Sequence, residues 1–543
     1  MALPASCTVL VVGSGNAGFS AAVAARQAGA RHVVLIDKCP EAWAGGNSYF
    51  TAGAYRTVHA GAEDLLSLVN NVDEGTAKRI DLEPYTAQDF AADMHRICGG
   101  RADPALTRVL IEDSKSAIQW LAANGVRFQL SFNRQAYEVD GRLKFWGGLA
   151  LKTQDGGKGL MADHQANARR YGVVTFYSTA LERLLTHRST GAVEGAVVRC
   201  RDGSQATIQT GAVVLAAGGF ESNPRLRAQL LGPGWDLASV RGTPYNTGEV
   251  LEMAMRDAHA QQAGHWSGCH SVAWDAAAPA HAGDREASNE LTKSGYPLGL
   301  MVNMRGERFV DEGADLRNYT YARFGRAILM QPAQRAWQVW DQRAVPWLRP
   351  EEYRPQRARR IAAASIRELA DKLAAVEFGL DPDPVCRRAF VDTLEQYNRA
   401  VYAFQAESLG RKWDPSVRDG NSTQSRALQL LLPKSNWALP LDRPPFVAVL
   451  VTCGITFTFG GLAVDPHTAH VVSASSATRG EVGNLFCCGE MLGGLFFDNY
   501  PGGTGLTAGT VFGRRAGTAA ATVANGGGRG GGEQSYARVQ AKL

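Results

Sequence analysis

Apolar and polar positions follow three different patterns along this chain. The first starts with Thr8-Val9-Leu10-Val11-Val12, a continuous apolar run that suits a strand buried on both faces of a parallel sheet. It breaks into Gly13-Ser14-Gly15-Asn16-Ala17-Gly18. The Ala/Gly-rich stretch from Ala17 to Ala28 predicts a helix, and His32 to Ile36 predicts a second strand ending at Asp37. Helical spacing of apolar residues predicts helices over Gln88 to Arg96 and Pro104 to Ala123, with Asn124-Gly125 as a stop. Strands are predicted at Val173 to Tyr177, Ala192 to Cys200 and Ala206 to Thr210, with turns at Thr190-Gly191 and Asp202-Gly203. They lead into a further buried strand from Gly211 that ends in Gly218-Gly219.

From about residue 236 to 440 tryptophans, arginines and helices dominate, including predicted helices over Ile361 to Val376 and Pro384 to Phe404. The Pro-rich Leu439 to Pro445 marks the exit, and the strand-and-glycine pattern returns from Val447 to Gly517. The simplest architecture is a discontinuous α/β nucleotide-binding domain, residues 1–235 and 442–524, interrupted by an α+β capping domain, residues 236–441. A Gly-rich tail, residues 525–543, is read as a flexible end.

Composition narrows the function. Hydrophobic residues make up 45% and charged residues 20%, as in an ordinary soluble enzyme. The net charge of +5 is small, and the one basic cluster, Arg354 to Arg360, lacks interleaved aromatics, which argues against nucleic acid. No run is long and apolar enough for a membrane span, and no secretory leader pattern precedes the first strand. The nine cysteines are dispersed without a C-x-x-C, which suits reduced thiols and argues against a metal site or an iron–sulfur cluster. Cytoplasmic residence follows; in a eukaryote the terminal Ala541-Lys542-Leu543 would read as a peroxisomal address.

The chemistry starts at the first turn. Gly13, Gly15 and Gly18 form G-x-G-x-x-G between a strand and a helix, so backbone can approach a pyrophosphate at the helix N-terminus. Asp37 lies nineteen residues after Gly18, where an acid accepts hydrogen bonds from ribose hydroxyls. Strand, helix and acid together make this a dinucleotide site rather than a plain turn.

Four separated segments resemble the flavoprotein family of fumarate reductases, succinate dehydrogenases and 3-ketosteroid dehydrogenases, with tricarballylate dehydrogenase as the nearest branch. They are Val9 to Gly18, Ala44 to Ser48, Val214 to Phe220, and Gly489-Glu490 through Gly517. A fifth, Val302 to Glu312, is similar to an element of that family's mobile cap, and Gly313 to Ala322 resembles the tricarballylate branch. The resemblance implies a Rossmann-like FAD-binding domain with an inserted α+β cap, and FAD rather than NAD. It places the cofactor against Gly13, Gly15, Asn16, Ala17, Asp37, Lys38, Gly45, Gly46, Asn47, Ser48, Ala217, Gly218, Gly489, Glu490, Gly505 and Leu506. Glu490 suits a ribityl or ribose hydroxyl. The helix opened by Gly502-Gly503-Thr504-Gly505 would stabilise negative charge on reduced flavin. Relatives that attach FAD covalently carry a histidine where this chain has Gly46, and His59 lies too far on, so non-covalent FAD is implied.

The resemblance also fails in informative places. The proton-donating arginine of the fumarate reductases falls on Val345, leaving Arg343 and Arg349 as neighbours that could substitute. The family's histidine before T-x-G-G appears as Phe457 and its carboxylate-binding arginine as Tyr500. Tyr500-Pro501-Gly502-x-Thr504 resembles instead the 3-ketosteroid dehydrogenases, in which a tyrosine hydroxyl and a backbone N–H polarise a ketone. Those roles would fall on Tyr500 and the Thr504 N–H. Arg317, with Glu312 five residues earlier, reads as a proton relay or a carboxylate clamp.

The expected activity is FAD-dependent oxidation of a carbon–carbon single bond next to a carboxylate or ketone, or reduction of the matching alkene. Tyr500, Arg317, Glu312 and Arg343 are the catalytic candidates. The substrate is a small carboxylate or enone: a tricarballylate-like polycarboxylate, or a larger and less charged natural product. An electron-transfer protein or dioxygen is the second partner. A flavin oxidase using dioxygen and a non-catalytic flavin-binding protein are the alternatives.

Overall fold

The computed structural model describes residues 2–475 and 480–527. Ser6–Val12 lies inside an eight-stranded sheet, parallel to Val33–Ile36 on one side and to Gln205–Leu215 on the other. Val174–Phe176 extends one side in parallel, and Glu481–Cys487 joins the far end of Gln205–Leu215. Val9, Leu10 and Val11 are completely buried, so both faces of the strand are covered, which is why the run does not alternate.

Gln205–Leu215 is a single eleven-residue strand, not the two short ones the glycine suggested. A Cβ at Gly211 would lie 2.8 Å from the Ala524 Cβ, so this glycine admits the end of the C-terminal helix instead of turning the chain. Ala180–Thr186, which the sequence reading missed, pairs antiparallel with Val193–Arg199. Its Leu, Glu and Arg are good helix formers, and sheet pairing overrides that preference.

The cap is built on a second sheet whose longest strand is Phe446–Leu462. Gln262–Asp275, Arg335–Trp340 and Ile361–Ala363 all pair with it antiparallel, and Ser239–Val240 in parallel. The first strand after residue 442, where the return to the nucleotide-binding domain is expected, thus pairs within this second sheet. The chain rejoins the first sheet only at His470–Val472 and Glu481–Cys487. The helix expected from Ile361 also starts late: Ile361–Ala363 is a strand, and Ser365 caps a helix over Ile366–Ala374 by accepting the Glu368 N–H at 3.1 Å.

One helix–helix contact closes the first lobe. Gly509, Gly513 and Gly517 recur every four residues on Thr504–Thr522 and face the helix Asn16–Gln27. A Cβ at Gly513 would lie 2.7 Å from the Ala17 carbonyl oxygen, and one at Gly517 2.0 Å from that of Ala21. The turn Val523–Gly527 continues this helix into the first residues of the expected tail. The rest of that tail, with Ala541-Lys542-Leu543, lies outside the described residues. No helix among the described residues is long and apolar enough to cross a membrane.

Gly517→Ala tests this contact by its sign. On an exposed helix the change would gain about 1 kcal/mol. Here it should cost about 1–3 kcal/mol, because the obstacle is backbone that cannot rotate away. Urea unfolding of the two proteins measures the difference, and a stabilised variant would contradict the packing described.

Candidate active site

Gly13 turns the chain out of the first strand at φ +107°, and a Cβ there would lie 2.3 Å from the Ala216 carbonyl oxygen. Only glycine fits that approach. Where the first helix begins, the space is open: added Cβ atoms at Gly15, Gly46 and Gly505 would find nothing nearer than 3.6, 4.0 and 3.8 Å. These three glycines line one continuous cleft with about 1700 Å³ of empty space, part of it open to solvent. The residues present fit FAD. Every expected cofactor residue lines the cleft except Gly45, which stands behind it with its Cβ position 2.7 Å from Met161 Cγ.

Several of these residues also hold the cradle itself. Asn16 donates to the Leu506 carbonyl at 2.9 Å and accepts from Tyr55 at 2.8 Å and Thr510 at 3.2 Å. Asp37 accepts from the Ser14 N–H at 2.8 Å and the Ser14 hydroxyl at 2.7 Å, which ties the fingerprint loop to the second strand. Lys38 is held by Glu249 and by Thr247 at 2.6 Å.

At the cap end, Tyr500 stands among aromatics: its ring centroid is 4.8 Å from His270, 5.3 Å from Phe496 and 5.7 Å from Phe457. Its hydroxyl hydrogen-bonds to no protein group among the described residues, and burial pushes its pKa up to about 12. Arg241 lines the same end, donates to Thr456 at 3.2 Å and to Asn289, and has no carboxylate partner among the described residues. Burial lowers its pKa to about 10, so it stays charged. His270 is kept neutral by burial and by the neighbouring Arg241.

Glu490 departs from the role expected of it. It opens on the cleft, but its Oε1 accepts the Thr458 N–H at 2.8 Å and the Thr458 hydroxyl at 3.1 Å. It also shares a hydrogen bond with Glu221, a fully buried carboxyl that accepts from Asn246 at 2.7 Å and from Asn47. Burial raises both pKa values, and mutual repulsion raises that of Glu490 further, so the pair retains a proton where free carboxylates would not.

The remaining catalytic candidates are not brought to the cleft. Glu312 accepts the Met301 N–H at 2.8 Å and forms a buried ion pair with Arg308, so the expected relay from Glu312 to Arg317 does not form. Arg317 lies one layer back, its guanidinium 4.9 Å from the Trp146 ring centroid, and donates to the Arg134 carbonyl at 3.3 Å. Arg343 is occupied by Asp341 at 2.7 Å and by Asp442. The Thr504 N–H, expected to polarise a ketone, donates to the Pro501 carbonyl at 3.2 Å. That leaves the first-turn N–H groups of Gly505 and Leu506, which have no acceptor within the helix. His59 is buried elsewhere. Tyr321, which the sequence placed with Tyr319, Arg323 and Arg326 in a segment able to line the pocket, lines the cleft, whereas Arg134, Arg241, Asn289 and Thr292 line it without having been singled out. Each of these four stands alone in its segment, and no spacing in the sequence marks it.

The acid pair makes a signed prediction. Below the unfolded pKa near 4.5 both states hold these protons; as pH rises toward the raised folded values, the unfolded chain releases protons that the folded chain keeps, and stability falls. Glu490→Gln supplies the hydrogen bond to Glu221 at every pH. The variant should therefore gain on the wild type by on the order of 1 kcal/mol between pH 5 and pH 8 in urea unfolding. A gap that stays constant or shrinks would show that the pair does not share a proton.

Comparison with known proteins agrees with this geometry. The family model for an FAD binding domain matches residues 8–506. A probable fumarate reductase of Shewanella frigidimarina is 28% identical over 515 residues, 94% of this chain and 74% of the relative. A 4-oxocyclohex-2-ene-1-carboxylate 5-dehydrogenase of Sinomonas cyclohexanicum is 25% identical over 593 residues, covering 96% and 94%. The fold resembles that of a 3-ketosteroid delta1-dehydrogenase from Sterolibacterium denitrificans, with a TM-score of 0.69 at 19% identity over 96% of this chain and 100% of that one. With a cleft built for a dinucleotide and a matching model over most of its length, this chain belongs to the FAD binding domain family and is an FAD-dependent oxidoreductase of the class that acts on carbon–carbon bonds.

Proposed function

We propose that the protein dehydrogenates a carbon–carbon single bond next to a carboxylate or ketone, or runs the reverse alkene reduction. The observation that carries the reading is the pair at the cap end of the cleft: the unpartnered hydroxyl of Tyr500 beside Arg241, a buried cation without a carboxylate partner among the described residues. A buried cation costs several kcal/mol unless an anion answers it, so the substrate is the natural counter-ion. FAD, when bound, supplies a hydride-exchanging centre. Arg241 holds the carboxylate, and the Tyr500 hydroxyl donates to the oxygen on which negative charge grows, a fixed donor that needs no reorganisation. Phe457 and Phe496 pack around Tyr500 and keep water from its ring. The names of the two relatives, one for reducing fumarate and one for dehydrogenating an oxocyclohexene carboxylate, support the same substrate class. An electron-transfer protein or dioxygen closes the cycle.

Anaerobic mixing of the holoprotein with a panel of polycarboxylates, enoates and enones tests the reading through the flavin absorbance. Donors should bleach the oxidised form, and acceptors should restore colour to the reduced form. Tyr500→Phe should slow the change by about 100-fold with FAD still bound. Arg241→Gln should raise KM about 10-fold or more for carboxylates while sparing neutral enones. An undiminished rate in Tyr500→Phe would remove the hydroxyl from the chemistry.

A further inference from the structure

A second cavity lies on the seam between the cap and the first lobe, with about 240 Å³ of empty space, part of it open to solvent. It shares no lining residue with the FAD cleft. The first lobe contributes Tyr137, on the hairpin of Ala136–Val139 and Arg142–Phe145, and Trp146 just after it. The cap contributes Leu298, Arg317 and Trp437. Trp437 is a fixed wall, since its indole N–H donates to the carbonyls of Val417 at 2.7 Å and Asp414 at 3.1 Å.

Arg317 opens the short helix Arg317–Tyr319 and is only 4% exposed, yet it forms no ion pair among the described residues. Its Nη2 donates to the Arg134 carbonyl at 3.3 Å. Nε and Nη1 find no acceptor among the described residues, and neither is sealed inside protein. The guanidinium lies 4.9 Å from the Trp146 ring centroid and 5.5 Å from that of Tyr137. Ring faces attract a cation, but less strongly than its burial costs, and they leave its N–H edge free. The indole N–H of Trp146 is itself buried without an acceptor.

The carboxylates around this cavity are taken. Glu352 answers Arg349 at 2.9 Å and Arg134 at 3.0 Å, and Glu351 reaches Arg134 at 3.7 Å. Asp315 belongs to Arg96, and Asp414 to Lys144 at 3.6 Å and to the Ser416 N–H at 2.8 Å. Burial and the neighbouring Arg349 lower the Arg317 pKa, as expected of a cation whose surroundings do not offset its desolvation. A guanidinium nevertheless keeps its proton in proteins. Water satisfies free N–H groups but does not answer the charge. Arg241 faces the FAD cleft, whereas Arg317 faces the second cavity.

We propose that this cavity binds a small monovalent anion (a halide, nitrate or a short carboxylate) through the free guanidinium edge of Arg317 and the indole N–H of Trp146. The walls set the class: aromatic rings, Leu298 and two prolines, Pro297 and Pro415, offer too few donors for sulfate or phosphate. The anion joins the lobes, because Arg317 belongs to the cap and Trp146 to the first lobe. Asn318 and Tyr319 already donate to the Gly147 carbonyl, each at 2.9 Å, so the ion completes a seam between cap and hairpin. The site stands independently of the reaction proposed above.

The linewidth of the chloride NMR signal tests the proposal in solution. Holoenzyme should broaden the line, and sodium formate should narrow it again along a saturating curve. Arg317→Gln should lose at least about half of the formate-sensitive broadening. Trp146→Phe keeps a ring and removes only the N–H, so it should weaken chloride binding about 10-fold. Arg241→Gln, altered in the FAD cleft alone, should keep the displaceable signal. Saturating chloride should also slow hydrogen exchange over residues 136–147 severalfold in the wild type and not in Arg317→Gln. A wild-type line no broader than that of Arg317→Gln, or a signal that vanishes in Arg241→Gln, overturns the proposal. Should Arg317→Gln fail to fold by near-ultraviolet circular dichroism, Trp146→Phe decides: unweakened binding there overturns it.

Discussion

The rest of the structure depends on how closely two helix backbones approach each other. Gly509, Gly513 and Gly517 leave no side chain between Thr504–Thr522 and the helix Asn16–Gln27, so carbonyl groups of one helix face bare Cα atoms of the other. The contact joins segments nearly a whole chain apart in sequence, and Asn16 bonds directly to the Leu506 carbonyl across it. Loop-closure entropy grows only slowly with length, so a long intervening cap adds little cost once this seam forms. The consequence is electrostatic. Two helix N-termini, each with unsatisfied N–H groups and a partial positive charge, open on the same cleft, which is what a pyrophosphate and a reduced flavin require.

The cap is registered on this lobe through one strand. Phe446–Leu462 is the spine of the cap sheet, yet Thr456 and Phe457 line the cleft, and Thr458 grips Glu490 of the first lobe. Gln262–Asp275, paired to it, carries His270; the helix Tyr321–Leu329, which lies flat on that strand because Gly325 has no side chain, carries Tyr321. The substrate end is therefore positioned by sheet pairing and by Gly325, whereas the cofactor end is positioned by turns. A shift of the cap would move His270, Tyr321 and Phe457 together relative to Gly505 and Tyr500.

These two ends differ in how much the sequence revealed. The cofactor end depends on glycines at fixed offsets between a strand and a helix, a pattern set by backbone approach and hence visible in one dimension. Gly13, Gly15, Asp37, Gly46 and Gly505 were all legible for that reason, and all line the cleft. The substrate end depends on single side chains delivered by separate strands. Arg241 and Asn289 have unremarkable neighbours in sequence; Arg241 reaches the cleft because the strand Ser239–Val240 pairs in parallel with Phe446–Leu462, and it donates there to Asn289. Glu312 and Arg343 misled because a charged residue in a familiar segment shows its type and not its partner; Arg308 and Asp341 had already claimed them. Gly211 misled in the opposite sense, as a close contact that resembles a turn.

Charge is distributed unevenly over the site, and the unevenness matches the chemistry. On the side of the Gly218-Gly219 turn, Glu221 and Glu490 hold a proton between them in a pocket of asparagine and threonine donors. Toward the cap, Arg134, Arg241, Arg317 and Arg349 outnumber Glu351 and Glu352. Both arrangements are costly when nothing is bound, since buried charge without a partner loses solvation that only a ligand restores. Under the proposed reaction they point in one direction: a substrate anion is drawn to the cap end, negative charge that develops there meets arginine and tyrosine, and the acids on the other side carry one negative charge between them instead of two. A site tuned only to hold FAD would have no use for unanswered cations toward the cap, and under the proposed reaction that excess is what selects and activates the substrate.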